Sequence, residues 1–215
     1  ILNLVAMTTT VQVAEAKAVA DGDIPAPSSP TTTPPAQNCF MAPTPLFHVT
    51  ACNCILHPAT LSGAKVVFTY KWDPGRALEL IEREKVTSFS GVPTMSRELL
   101  LHPDWATRDT SSLQGMGGGG AALQPDLVPK IADALKKSGG QPSTGYGMTE
   151  TLMNVGNPYE GERRPGTVGL PLPHVAVSIR DEAGAPVADG VTGEVWVQGP
   201  NVCAGYWRRP EATAA

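Results

Sequence analysis

Six consecutive residues, Gly145-Tyr146-Gly147-Met148-Thr149-Glu150, bring together an aromatic ring, two glycines, a hydroxyl and a carboxylate. Such a set suits a loop that stacks a planar base, lets phosphate approach the backbone and holds a hard cation. Glycine permits close approach of the main chain to a ligand and tolerates positive φ. The Thr149 hydroxyl can donate to a phosphate oxygen. Glu150 supplies the kind of oxygen ligand that Mg²⁺ takes beside substrate phosphates. The same residues also make a plain Gly-rich turn with an exposed Thr-Glu pair, so the wider sequence has to decide.

A second glycine run, Gly117 to Gly120, continues into Ala121-Ala122-Leu123. Pro45-Leu46-Phe47-His48 lies further upstream, and Gly193-Glu194-Val195-Trp196-Val197-Gln198-Gly199 and Gly205-Tyr206-Trp207 lie downstream. In this order the blocks resemble the superfamily of acyl- and aryl-adenylating (AMP-forming) synthetases, and acyl-CoA synthetases most of all. The resemblance runs from about Ile1 to Thr213. It implies an ATP-dependent ligase that joins a fatty or aryl carboxylic acid to CoA through an acyl-adenylate, with Mg²⁺.

Carried over by position, the resemblance gives each residue a role. Gly119, Gly120 and Ala121 flank the adenine and the acyl pocket. Tyr146 stacks on the adenine within a nucleotide-contacting run from Gly145 through Gly147 and Met148 to Thr149. Thr149 binds the adenylate phosphate, Glu150 holds Mg²⁺, and Gly145 lines the path of the carboxylic acid. His48 falls where acyl-CoA synthetases line the carboxylate pocket, although a lone His beside Phe47 near a helix start is equally a structural residue. Ala122 stands where many members have Pro, and Thr144 sits at a variable position. Pocket walls are expected from His48 to Cys54, Gly91 to Met95, Gly117 to Leu123 and Gly145 to Thr151.

The family's Ser/Thr/Gly-rich phosphate loop ending in Lys is not found in these 215 residues, nor is its ribose-binding Asp or its C-terminal domain with a catalytic Lys. The chain therefore reads as the middle of a larger enzyme, with little activity expected of it alone. Two alternatives remain: an adenylation domain feeding a carrier protein, and a degenerate nucleotide-binding or interaction module without catalysis.

Composition narrows the class. An apolar fraction of 41% with a mean hydropathy of -0.08 suits a soluble globular protein, expected in the cytoplasm. A net charge of -4 and a pI of about 5.5 give no basic footprint for nucleic acid. Apolar stretches such as Ile1 to Met7 are too short for a membrane span, which needs about 20 residues. Four scattered cysteines, Cys39, Cys52, Cys54 and Cys203, do not form a disulfide framework. His48, Cys52, Cys54 and His57 lie close in sequence. On a regular helix, however, Cys54 falls about 200° from Cys52 and points away from the others, which favours cysteines packed in a helix over zinc.

The positioning elements follow from local signals. Ile1 to Ala20 reads as a helix, and the proline-rich stretch Asp21 to Gln37 as an exposed loop. Cys39 to Ala42 is a short apolar run, and Phe47 to Leu61 a buried helix that Pro58 should kink or end. Lys65 to Tyr70 and Val86 to Val92 read as strands. Pro74 to Glu84 is a helix capped by Asp73, and Pro93 opens another that reaches Leu101. Leu113 to Met116 is a strand, Pro125 to Lys137 a helix and Gln141 to Tyr146 a strand. This alternation predicts an α/β fold, a largely parallel sheet with flanking helices. From about residue 166 the period changes to two around Val175 to Ile179 and Val195 to Val197, with turns between. The expected division is thus an α/β part over 1–165 and a small β-rich, barrel-like subdomain over 166–215. Glu160, Glu162, Arg163 and Arg164 read as a solvated charged loop, and Trp196, Tyr206 and Trp207 as packing residues.

Overall fold

The computed structural model describes residue 20, residues 37–157 and residues 166–214. The expected N-terminal helix (save Ala20), the proline-rich loop before Gln37 and the charged run around Glu160 to Arg164 lie outside the described residues.

The α/β expectation holds. Strands β1 (Cys39–Ala42), β2 (Lys65–Phe68), β3 (Ser88–Gly91), β4 (Gly115–Gly118) and β5 (Gln141–Met148) pair in parallel in the order β2-β1-β3-β4-β5. Strands β6 (Leu152–Gly156) and β7 (Leu170–Pro171) extend this sheet beyond β5 by antiparallel pairing. A separate antiparallel pair, β8 (Ala176–Arg180) and β9 (Glu194–Gln198), follows.

Between parallel strands run α1 (residues 49–62), α2 (Pro74–Glu84), α3 (Pro93–Leu101) and α4 (Leu127–Leu135). Helix α2 begins and ends at the residues its sequence predicts. Pro74 presets the first turn, and the Asp73 carboxylate accepts the Arg76 amide at 2.7 Å. Its Ala77, Leu78 and Ile81 are buried in a core shared with Met41, Phe89, Met116, Leu99, Leu127, Ile131 and Leu135. These side chains lock α2, α3 and α4 onto the sheet, so the carboxyl ends of β3, β4 and β5 are held in fixed relation.

Pro58 does not end α1. The helix widens into a π-turn at Cys52–Leu56, where the His57 amide bonds the Cys52 carbonyl, and then continues through His57–Ser62 to a left-handed Gly63. Proline offers no amide to the carbonyl four residues back and crowds it, and the wider turn relieves both problems. Beyond this turn the helical phase differs from that of a regular helix.

Strand β4 lies two residues later than its sequence predicts. Its composition, Gly-Met-Gly-Gly, carries no β-propensity signal, but its backbone is tightly enclosed. A Cβ on Gly117 would run into the Ser143 carbonyl, and one on Gly118 into the Gly91 carbonyl. The buried Ser96 hydroxyl donates to the Gly117 carbonyl at 3.1 Å and ties α3 to this strand.

Candidate active site

The parallel strand order reverses direction at β1, and in open α/β sheets ligands bind beyond the carboxyl ends of the strands near such a point. A cavity of about 350 Å³ opens there. Gly118 to Gly120, leaving β4, form one side; Ser143 to Gly145 of β5 and Gly147 to Glu150 form the next. His48, Val49, Thr50 and Cys54 close it from the start of α1, with Ser90 of β3 and Leu152 and Met153 of β6 completing the wall.

The two glycine-rich segments, separated in sequence by helix α4, thus share one cleft with His48. Among the expected site residues, Gly119, Gly120, Gly145, Gly147, Met148, Thr149, Glu150 and His48 line it, whereas Ala121 and Tyr146 do not. Of the expected wall at Gly91 to Met95 none lines the cavity; its neighbour Ser90 does. Cys54 also faces the cleft, one turn beyond Thr50 on the same side of α1. Burial pushes the Cys54 thiol up, which keeps it neutral. Cys52 instead lies 3.8 Å from His57 Nε2.

The stretch Gly145 to Glu150 is not wholly a loop. β5 continues to Met148, and only Thr149, Glu150 and Thr151 form the turn into β6. Gly145 and Gly147 serve this hairpin, since a Cβ on Gly147 would meet the Leu152 carbonyl and one on Gly145 the Val155 carbonyl at 2.8 Å. Leu152 closes the turn at φ +56°, a conformation rare for a branched side chain. The turn therefore keeps its shape against local preference, and tertiary bonds supply the reason.

Those bonds come from the segment after β9. Asn201 Nδ2 donates to the Thr151 carbonyl at 2.6 Å and to Asn154 Oδ1 at 2.9 Å. The fully buried Asn154 donates to Thr151 Oγ1 at 2.7 Å. The Cys203 amide donates to the Glu150 carbonyl at 2.8 Å. Tyr206 donates its hydroxyl to Glu150 Oε1 at 2.7 Å. That bond, aided by the residue's own backbone amide, holds the Glu150 carboxyl below the usual carboxylate range.

His48 caps α1: its Nδ1 accepts the Thr50 amide at 3.2 Å. A neutral ring bonded this way carries its proton on Nε2, so it offers a donor and no free basic nitrogen. Sequence reasoning missed Asn154, Asn201 and Tyr206 as parts of this region. A polar Asn154 inside the apolar run Leu152 to Val155 is the one local signal for them. Trp196, Tyr206 and Trp207, expected as packing residues, are exposed at 46%, 49% and 86%.

Comparison with known proteins agrees with this architecture. Residues 3–207 match the AMP-binding enzyme family, and the chain belongs to it. It is 39% identical over 173 residues to a feruloyl-CoA synthase of Amycolatopsis sp, covering 79% of this chain and 34% of the relative. It is 34% identical over 183 residues to a medium/long-chain-fatty-acid–CoA ligase of Mycobacterium tuberculosis, covering 84% of this chain and 31% of that one. The crystal structure of ATP-bound MatB from Rhodopseudomonas palustris superposes with a TM-score of 0.74 at 34% identity, covering 83% of this chain and 35% of that one. The chain spans about a third of the length of the curated relatives it matches. Among the described residues no helix is long and apolar enough to cross a membrane.

Proposed function

We propose that this cleft activates a carboxylic acid with ATP, as part of an AMP-forming carboxylate–CoA ligase. The observation that carries the reading is the meeting of Gly118 to Gly120, Thr149-Glu150 and His48 around one cavity. In the proposed reaction the ionised acid attacks the α-phosphorus of ATP, pyrophosphate leaves, and the CoA thiol then displaces AMP from the acyl-adenylate. No base is needed for the first step, because the nucleophile is already an anion. Catalysis then rests on positioning and charge neutralisation.

Each residue has a part that its chemistry allows. Gly119 and Gly120, without side chains, leave room for a planar base against the backbone. The Thr149 hydroxyl donates to a phosphate oxygen. His48, with its proton on Nε2, is a donor for the substrate carboxylate rather than a base. Among the described residues no group of three or more His, Cys, Asp or Glu is arranged to hold a metal. Glu150, the one carboxylate among the described residues that line the cleft, is a donor that Mg²⁺ fits, since this ion takes one or two carboxylates and completes its shell with phosphates and water. When bound, Mg²⁺ neutralises charge on the triphosphate.

Relatives named for ferulate, fatty acids and indoleacetate support CoA as the acceptor over a carrier protein, and an aryl or fatty acid as the substrate. The 215-residue chain alone is expected to release little pyrophosphate.

The test is Glu150→Gln in the protein expressed from its complete reading frame. It keeps shape and removes one charge, so the adenylation rate should fall ~10²-fold or more and its Mg²⁺ dependence should shift. Thr149→Val should act in the same direction. An unchanged rate and Mg²⁺ dependence in Glu150→Gln, with an early melt, would make Glu150 structural and refute the assignment.

A further inference from the structure

Glu150 is gripped by a segment that the proposed chemistry does not use. The 199–213 stretch bonds the β5–β6 turn at the Glu150 carbonyl, the Thr151 carbonyl and the Glu150 carboxylate, through Cys203, Asn201 and Tyr206. The first two bonds fix the backbone. The third acts on the side chain alone, at Oε1.

Tyr206 is itself held in place. Its amide donates to Thr213 Oγ1 at 2.9 Å, and that hydroxyl donates to the Arg209 carbonyl at 2.9 Å. Gly205 takes φ +141°, and a Cβ there would strike the Thr213 side chain. The phenol is half exposed, so core packing does not determine its position. Its hydroxyl instead reaches a carboxylate 56 residues away in sequence. A Glu side chain has three free torsions, and ordering them opposes binding of any ligand. A hydrogen bond that orders the carboxylate beforehand lowers that cost.

On the reading above, in which Glu150 holds the cation that accompanies ATP, we propose that Tyr206 is a positioning residue for Glu150. It holds one carboxylate oxygen so that the other is presented to the cation. The 199–213 segment thereby acts on nucleotide activation through the carboxylate without entering the cleft lining.

The test compares Tyr206→Phe, Glu150→Gln, the double variant and Trp207→Ala in the protein from its complete reading frame. Pyrophosphate release is measured against Mg²⁺ concentration. ATP binding is measured by calorimetry with Mg²⁺ and with EDTA, alongside thermal melting. Loss of an outer partner of a metal ligand typically weakens metal affinity 10–100-fold. Tyr206→Phe should therefore raise the half-saturating Mg²⁺ concentration roughly 10-fold. Its rate at saturating Mg²⁺ and its ATP affinity in EDTA should stay at wild-type values. The double variant should match Glu150→Gln, since the phenol acts only through that carboxylate. Trp207→Ala, adjacent and exposed, should match wild type.

A wild-type Mg²⁺ response in Tyr206→Phe, beside a shifted one in Glu150→Gln, would overturn the inference and leave the functional reading standing. Tighter Mg²⁺ binding in Tyr206→Phe would show that the phenol competes with the cation, and would also overturn it. Equal loss of ATP affinity with and without Mg²⁺, together with an early melt, would reduce Tyr206 to a structural bond. An unshifted Mg²⁺ response in Glu150→Gln would remove the functional reading and this inference together.

Discussion

Two glycines of the cleft, Gly147 and Gly119, should respond in opposite ways to the same added methyl group. At Gly147 a Cβ would overlap the Leu152 carbonyl oxygen, with the Leu152 carbonyl carbon at 2.9 Å and Met153 Cα at 3.1 Å. All three are backbone atoms, so no rotamer change relieves the overlap and the β5–β6 hairpin must open at its bulge. Overpacking of this kind costs about 1–3 kcal/mol. At roughly 2–4 °C per kcal/mol for a domain of this size, Gly147→Ala should lower Tm by about 2–12 °C. At Gly119 a Cβ meets nothing within 4 Å, and the backbone does not require glycine. Gly119→Ala should therefore leave Tm unchanged or raise it slightly, through the stiffer unfolded chain. If a planar base lies against this edge, the methyl displaces it, and ATP affinity should fall roughly 10-fold, a loss of about 1.4 kcal/mol. Differential scanning calorimetry and isothermal titration with ATP, on the protein from its complete reading frame, read both quantities. A Gly147→Ala protein that melts like wild type would refute the packing argument. A Gly119→Ala protein that binds ATP normally would refute the placement of the base.

Phe89, buried in β3 and 5.8 Å from the Trp72 ring, anchors the centre of the core; Phe89→Ala should cost about 3–5 kcal/mol in urea unfolding followed by tryptophan fluorescence. Asp126 is held at about 2, first by its bonds to Arg97 and then by Lys130, against an ordinary 3.8. A depressed folded value stabilises above the unfolded pKa, and that stability is lost as pH falls from about 4 through about 2. Asp126→Asn should therefore lose less stability than wild type across that window in acid melts. The difference should shrink with added salt, because the pair is exposed.

Where signals are local, the sequence determined the elements. Asp73-Pro74 and Pro93 start α2 and α3 where they are expected, because a capping carboxylate and a fixed φ act within one turn of their own position. The repeated alternation of such helices with apolar runs was enough to predict a mainly parallel sheet. The two glycine motifs also fell on one cleft. Other features were illegible because their causes lie elsewhere in the chain. β4 is a strand of glycines whose pairing comes from β3 and β5 rather than from its own propensity. β6 follows a turn without a Gly or Asn signal, closed by Leu152 in a left-handed conformation. The π-turn at Cys52–Leu56 precedes Pro58, where the local signal announced only a kink or an end. The setting of Glu150 is the clearest case. Its type and its neighbours Thr149 and Met148 announced a ligand, but the partner that orders its carboxylate stands 56 residues away. No periodicity or spacing encodes a bond of that length, since it exists only once the sheet and the segment after β9 have packed against each other.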